Sequence, residues 1–432
     1  MRVREAVKKT IGIMLAAGVI ALNYSSPLRL FRNVPGSLNL HRGQSISLPL
    51  GLPSGWLTIE NEGDELLRFS QAATTGDAVF TADALDIYPE VCGQTALTLT
   101  LFGIIPIKNV SVHVFPEMTL VPGGQPIGVS LYTEGILVVG ISDLMTEDGT
   151  TRRPAQDAGL QPGDIILEAE GKPLTDAKSL SEIIQGCAGA PVQLTVRRGD
   201  RTLGLSITAI RDGQDSIYRM GMWVRDSSAG VGTLTFYDAA HGTYGALGHA
   251  IKDMDTDTVL DVREGTIQYS NIIDIQQGVR GTPGELRGIF FSGDVTIGNI
   301  NLNTPFGLFG DAVEPITNPL YPEPIPVASH SEVHIGPATL LTTIDSDGIR
   351  EYSCKIVRVF SQDRPAIKSM VIEIDDPELL AKTGGIVQGM SGSPIIQDGK
   401  LAGAITHVFI NDPTKGHAVF VEWMLMQSIP DE

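Results

Sequence analysis

The sequence predicts a mainly β chain of several domains behind an N-terminal apolar segment. At 432 residues it has room for about three domains of ordinary size. Its composition, 42% hydrophobic with 48 Gly and 26 Pro, fits folded, turn-rich β structure rather than disorder. Short apolar runs separated by turn residues recur along it, the signature of strands joined by tight connections.

Charge and cysteine usage set further bounds. A formal charge of −19 excludes nucleic acid and anionic membrane surfaces as primary partners. Cys92, Cys187 and Cys354 are an odd set spread over three expected domains, so no disulfide framework follows. They show no metal-ligand spacing. His330 and His334 are four apart, but a proline-rich stretch precedes them and no third ligand is evident. They read as solvated loop histidines, and neither a metal nor a cofactor is expected.

In chain order, residues 1–27 form a signal or anchor segment. Arg2, Arg4, Lys8 and Lys9 precede an apolar run from Ile11 to Leu22. As a helix that run spans about 18 Å, short of the roughly 30 Å of a hydrocarbon core. The following Asn23-Tyr24-Ser25-Ser26-Pro27 offers no small-x-small cleavage site. An uncleaved or slowly cleaved membrane anchor is expected, with everything after it exported. Residues 28–118 alternate apolar runs with turns, as in Ser45-Ile46-Ser47-Leu48 and Val110-Ser111-Val112-His113-Val114. They predict a small all-β domain without chemistry of its own.

Residues 119–213 carry a more specific pattern. Ala158-Gly159-Leu160-Gln161-Pro162-Gly163-Asp164-Ile165-Ile166 spells a short helix ended by glycine, a Pro-Gly turn and a buried strand. Leu180, Ile183 and Ile184 share one helix face, and Gly199-Asp200 closes a hairpin. With Gln125-Pro126-Ile127-Gly128-Val129 and the apolar run 135–140, this stretch resembles a PDZ domain of the bacterial protease type. The resemblance implies that Ile127, Gly128 and Val129 form its carboxylate-binding loop. It also implies a peptide bound as an added strand, and the chain itself is expected among the ligands.

Residues 214–432 hold the chemistry. Gly389-Met390-Ser391-Gly392-Ser393-Pro394 is a serine held among glycines, in a turn too tight for larger side chains. Such a turn presents a hydroxyl nucleophile and aims backbone N–H groups, here those of Gly389 and Ser391, at a nascent oxyanion. The run Pro394-Ile395-Ile396-Gln397, the turn Asp398-Gly399 and the run 400–407 then predict a hairpin. A strand at 339–343, a hairpin at Asp347-Gly348 and a run at 355–360 belong to the same unit. Between His249 and Asn303 the chain reads as long loops, and from Asn303 to His334 as an inter-domain connection.

A base for Ser391 is sought among His249, His407 and His417, with His241 near the first. His249 lies 142 residues before the serine (391 − 249), far enough to stand on a separate barrel across a cleft. His407 and His417 follow the serine on strands and read as pocket walls. For the third member, Asp294 fits the chymotrypsin-like order, in which the acid lies between histidine and serine. Asp376 opens Asp376-Pro377-Glu378-Leu379-Leu380-Ala381-Lys382-Thr383-Gly384, which is also a complete helix signature with Asp376 as its N-cap.

Four segments together resemble the stage IV sporulation protein B serine peptidase family. They are Gly221-Met222-Trp223-Val224-Arg225-Asp226-Ser227, residues 230–237, Gly245-Ala246-Leu247-Gly248-His249 and residues 383–394. The resemblance implies a chymotrypsin-like double β-barrel with His249, Asp376 and Ser391 as its triad, while Asp294 stays the alternative acid on its spacing alone. It further implies an endopeptidase exported across the forespore membrane, which cuts a membrane-associated regulator and itself. The cut would trigger processing of a mother-cell sigma-factor precursor. A second reading keeps the PDZ domain as a signalling adaptor and treats the barrel as a degenerate relic.

Overall fold

A computed structural model describes residues 36–42, 46–49, 57–61, 66–69, 78–79, 84–115, 118–290, 295–362 and 364–428. The expected anchor, residues 1–27, and Asp294 lie outside the described residues. The chain divides into two units, one holding residues 1–118 with 361–365 and the other the remainder. In the first, a five-stranded and a three-stranded sheet share a core that includes Leu38, Leu67, Ile87, Leu97 and Val112.

The second unit is organised around two long strands, Pro126–Ile141 and Met222–Asp238, paired antiparallel along nearly their whole length. Their pairing shifts register between Tyr132 and Leu137, and that irregularity divides the ribbon into two parts with different neighbours.

Below the shift, residues 126–132 lie between Met222–Asp238 on one side and Val262–Tyr269 on the other. From Val262–Tyr269 the pairing runs to Thr296–Thr304, Gly307–Ala312 and Thr243–Ala246, then back to Met222–Asp238. The ring closes as a six-stranded barrel around Ile127, Val129, Leu234, Ile267, Ile300 and Leu308. The stretch expected to be loops after His249 therefore supplies barrel strands. Its Asp, Gly and Thr content reflects solvent-facing positions and close backbone packing; a side chain at Gly298, for example, would collide with Tyr244. The expected connection after Asn303 likewise contains the strand Gly307–Ala312.

Above the shift, the ribbon joins Ile165–Ala169, Pro191–Arg198 and Arg201–Thr208 to form the PDZ sheet. Its core includes Ile136, Val138, Ile166, Val192, Val196 and Met220. The helix Ala177–Cys187 begins where the Asp176 carboxylate accepts from Ser179 N–H, and packs Leu180 and Ile184 inward. The short helix Pro154–Asp157 ends before Gly159, which takes φ +87°, and the strand Ile165–Ala169 follows as the sequence predicts.

The PDZ domain is thus inserted between two adjacent strands of a barrel, which corrects the expected boundaries. Residues 119–132 belong to the barrel, whereas 222–225 belong to the PDZ sheet. It also corrects the proposed carboxylate-binding loop. Ile127 and Val129 are 0% and 2% exposed, and the strand carrying them is hydrogen-bonded on both edges, leaving no edge for a peptide. Gly128 is a glycine because the Phe290 ring occupies the space of a Cβ.

The second barrel is closed by six strands, Gly336–Thr342, Arg350–Val359, Met370–Ile374, Asp412–Phe420, Lys400–Phe409 and Pro394–Gln397. His330 and His334 are not merely solvated. His330 Nδ1 lies 2.8 Å from the buried Glu422 carboxylate and its ring stacks on Trp423, while His334 Nε2 lies 2.9 Å from Asp398. Among the described residues no cluster of His, Cys, Asp or Glu is arranged to hold a metal.

Candidate active site

The serine loop is prepared by the helix Pro377–Thr383. Asp376 caps it, accepting from Glu378 and Leu379 N–H at 3.0 Å each, and Gly384 ends it at φ +74°. A hairpin of the first barrel, Asn271–Gln276 with Glu285–Ile289, then braces the chain that follows. Gly278 N–H donates to Thr383 O at 2.8 Å, Leu286 N–H to Gln388 O at 2.8 Å, and Gln388 N–H to Gly284 O at 2.8 Å.

Two left-handed glycines form the loop itself, Gly389 at φ +97° and Gly392 at φ +94°. A side chain at Gly392 would also collide with Thr233 O and Leu247 N. Thr233 holds the loop from the first barrel, its N–H donating to Ser391 O at 2.9 Å and its hydroxyl to Gly389 O at 2.8 Å. The hydroxyl of Thr235 binds Gly392 O at 2.8 Å in the same way.

These bonds decide where the amides point. In a trans peptide the N–H is directed opposite the preceding carbonyl. Gln388 O is taken by Leu286 and Met390 O by Ser393 N–H, so the N–H groups of Gly389 and Ser391 face the other way. Among the described residues neither amide has an acceptor. Both residues line a cleft of about 530 Å³.

His249 lines the same cleft. It follows Leu247 and Gly248, both at φ +69°, a costly conformation for leucine held by Leu247 N–H donating to Thr233 O at 3.2 Å. His249 Nδ1 lies 2.8 Å from Ala250 O. A carbonyl only accepts, so Nδ1 carries the proton and Nε2 keeps its lone pair. Burial pushes the imidazole below its ordinary pKa, the Ala250 carbonyl opposes this, and Lys252 adds to it. The ring of His407 stands 5.0 Å away, held down to about 4 by desolvation and by His249 beside it. Both rings are therefore neutral at neutral pH.

The Ser391 hydroxyl donates to Thr406 O at 3.0 Å, so in this resting arrangement its proton is not directed at His249. Ser393 is fully buried and donates to the Thr342 hydroxyl at 3.0 Å, which removes it as an alternative nucleophile. His417 does not line the cleft; it packs edge-on against Phe409. His241 is held by Asp238 at 2.6 Å.

Asp376 is not brought to His249. One carboxylate oxygen caps the helix and the other accepts from Ser353 N–H at 3.2 Å, and the residue is no part of the cleft wall. In this arrangement the Nδ1 partner of His249 is the Ala250 carbonyl, and Asp376 serves as the N-cap that the helix signature predicts. The residues missed from sequence are those acting on the loop from outside it, Thr233, Thr235 and Thr406. A faint signal was present. Thr233 and Thr235 alternate on one face of a strand whose neighbours are apolar, and a hydroxyl buried there requires an acceptor.

Residues 216–425 match the SpoIVB peptidase S55 family, and residues 148–198 match the PDZ domain family. Among curated proteins, HhoB of Synechocystis sp. is 36% identical over 166 residues, which cover 35% of this chain and 36% of that one. Serine protease HTRA3 of Homo sapiens is 36% identical over 66 residues, covering 15% and 14%. Serine protease HTRA1 of Xenopus laevis is 38% identical over 55 residues, covering 13% and 12%. The chain thus spans about a third of HhoB and about an eighth of the two others.

Proposed function

Since its domain at residues 216–425 places the chain in the SpoIVB peptidase S55 family, we propose that it is a serine endopeptidase. Ser391 is the nucleophile, His249 its general base, and the N–H groups of Gly389 and Ser391 its oxyanion hole. The observation that carries this reading is the pair of unengaged amides beside Ser391, facing a cleft that His249 shares. A glycine turn with no chemistry needs no such bracing; here six bonds from the first barrel and the hairpin hold the loop that carries them. In this reading the Ser391 hydroxyl leaves Thr406 O and gives its proton to His249 Nε2, across the cleft that both residues line. Attack on a peptide carbonyl then places the negative oxygen between the two amides, and the imidazolium returns the proton to the leaving amine.

The cleft also suggests the substrate. Among the described residues no Asp or Glu lines it, and Ile386, Val387, Val408 and Ile410 form part of its wall. An apolar side chain next to the scissile bond fits this lining, while lysine or arginine would find no counter-charge among the described residues. Family membership and the apolar N-terminal run support the wider proposal. The chain is exported across the forespore membrane, initially anchored there, and cleaves a membrane-associated regulator and itself, leading to sigma-factor precursor processing. Its PDZ domain takes a peptide, the chain's own among the candidates. The free edge for it is 222–225, between Met222–Asp238 and the helix Ala177–Cys187, where Gly221 turns at φ +73°.

The test is Ser391→Ala. The purified wild-type protein should cut apolar peptide substrates and its own segment between Leu28 and Val121, and should take up a fluorophosphonate. The variant should do none of these while keeping its melting temperature. Equal cleavage by both proteins would sink the assignment and favour the adaptor.

A further inference from the structure

Two neighbouring residues at the register shift of the central ribbon are tied to different parts of the molecule. Arg225 pairs with Leu137 just above the shift, in the PDZ sheet. Its guanidinium reaches down to the loop after His249, with Nη1 on the Asp253 carboxylate and Nη2 on Asp255 at 3.0 Å. Asp253 is fully buried, and its other oxygen organises the loop by accepting from Asp255 N–H and Thr256 N–H at 3.0 Å each. Asp253 lies four positions after His249 (253 − 249), and the bonds between Ile251 and the Asn303 side chain leave little slack in that span.

Asp226 points the opposite way, as the next residue of a strand must. Its carboxylate accepts from Ala177 N–H at 2.7 Å, at the first residue of the helix Ala177–Cys187 that borders the peptide edge of the PDZ domain. Its carbonyl accepts from the Thr133 hydroxyl at 3.2 Å, which fixes the ribbon at the shift. One dipeptide therefore holds the PDZ helix with one side chain and the His249 loop with the other.

We infer that Arg225 is the positioning residue of the His249 loop, and that Arg225-Asp226 makes the placement of His249 depend on the PDZ sheet and helix. Arg225 does not line the cleft, so it touches no substrate. It acts through Asp253 on the loop. The inference rests on the peptidase reading and adds a device to it: a peptide added between 222–225 and the helix pulls on the same two residues that hold the base.

Arg225→Met alone leaves a buried carboxylate unpaired and risks unfolding the loop, so it is paired with Arg225→Met/Asp253→Asn, which removes that charge. Turnover of an apolar peptide p-nitroanilide is measured for these, for Arg225→Lys and for the wild type, on samples with an intact cooperative melt. The expected result is a fall in kcat of tenfold or more in the Met variants, KM within twofold, and partial recovery in Arg225→Lys. A folded double variant with kcat within twofold of wild type overturns the inference while leaving the peptidase reading intact. If the wild type itself neither turns over substrate nor reacts with fluorophosphonate, the peptidase reading falls, and the His249 ring decides the positional claim. NMR of ¹⁵N-histidine protein then reads its tautomer, with Nδ1–H retained in the wild type and mixed in the variants if Arg225 positions it. Unchanged His249 signals overturn the claim.

Discussion

At the scale of single residues, the site substitutes a backbone carbonyl for the carboxylate that the sequence suggested. With Ala250 O as its partner, His249 is held in the tautomer a base requires, and among the described residues no carboxylate is hydrogen-bonded to its ring. Burial, the largest effect, lowers its pKa from 6.5, so the ring stays neutral further into acid. The kcat/KM of the wild type should therefore be flat through neutrality and fall only through a midpoint below 6.5. The stability sign agrees. As pH falls below 6.5 the unfolded chain protonates this residue before the folded one does, so His249 subtracts stability there and none above. A pH–rate midpoint above 6.5 that follows His249 would contradict the buried, carbonyl-bound ring. Asp376 makes a separate prediction. As a cap, Asp376→Asn should keep both activity and stability, and Asp376→Ala should lose about 1 kcal/mol of stability. A crippled but stable Asn variant, measured by turnover and thermal melts, would restore Asp376 to catalysis.

At the scale of elements, local chemistry read true and partnership did not. The helix Pro377–Thr383 between its Asp cap and Gly stop, the Asp398-Gly399 hairpin and the Gly163 turn of the PDZ domain are written in adjacent residues and form as written. The serine loop was legible for the same reason, since its glycines answer to φ values in their own backbone. The strand Pro126–Ile141 was misread because Ile127-Gly128-Val129 carries two compatible meanings. A glycine between apolar residues suits a carboxylate-binding turn, and equally a strand crossed by a ring. Only the distant Phe290, 162 residues on (290 − 128), decides for the strand. Gly128→Val discriminates the two in solution. Overpacking against Phe290 should cost about 1–3 kcal/mol or more, lowering the melting temperature of the barrel without abolishing peptide binding by protein that remains folded. Loss of peptide binding at unchanged stability would return these residues to the PDZ groove.

At the scale of the whole molecule, the insertion of the PDZ domain into the first barrel was not legible, because insertion leaves no mark on either inserted or host segment. Sequence order suggested a PDZ domain followed by a peptidase. Strand pairing instead makes the ribbon Pro126–Ile141 with Met222–Asp238 a member of both, so neither part has a complete edge of its own. The consequence is a prediction about cutting the chain. A protein of residues 214–432 holds every candidate catalytic side chain and all of the second barrel. It lacks 126–132, however, and with it the strand that closes the first barrel between Met222–Asp238 and Val262–Tyr269. Ile127, Val129 and Leu131, all buried, would leave the core with it. Removing three such side chains forfeits about 1.5–3 kcal/mol each, together with the ladder hydrogen bonds on two edges. That sum is comparable to the whole stability of an ordinary domain. The shorter protein should therefore fail to show a cooperative melt or fluorophosphonate labelling, whereas residues 119–432, which keep both barrels and the inserted PDZ domain, should show both. A cooperatively folding, labelled 214–432 protein would mean that the first barrel closes without residues 126–132, and that the shared ribbon is not what joins the two domains.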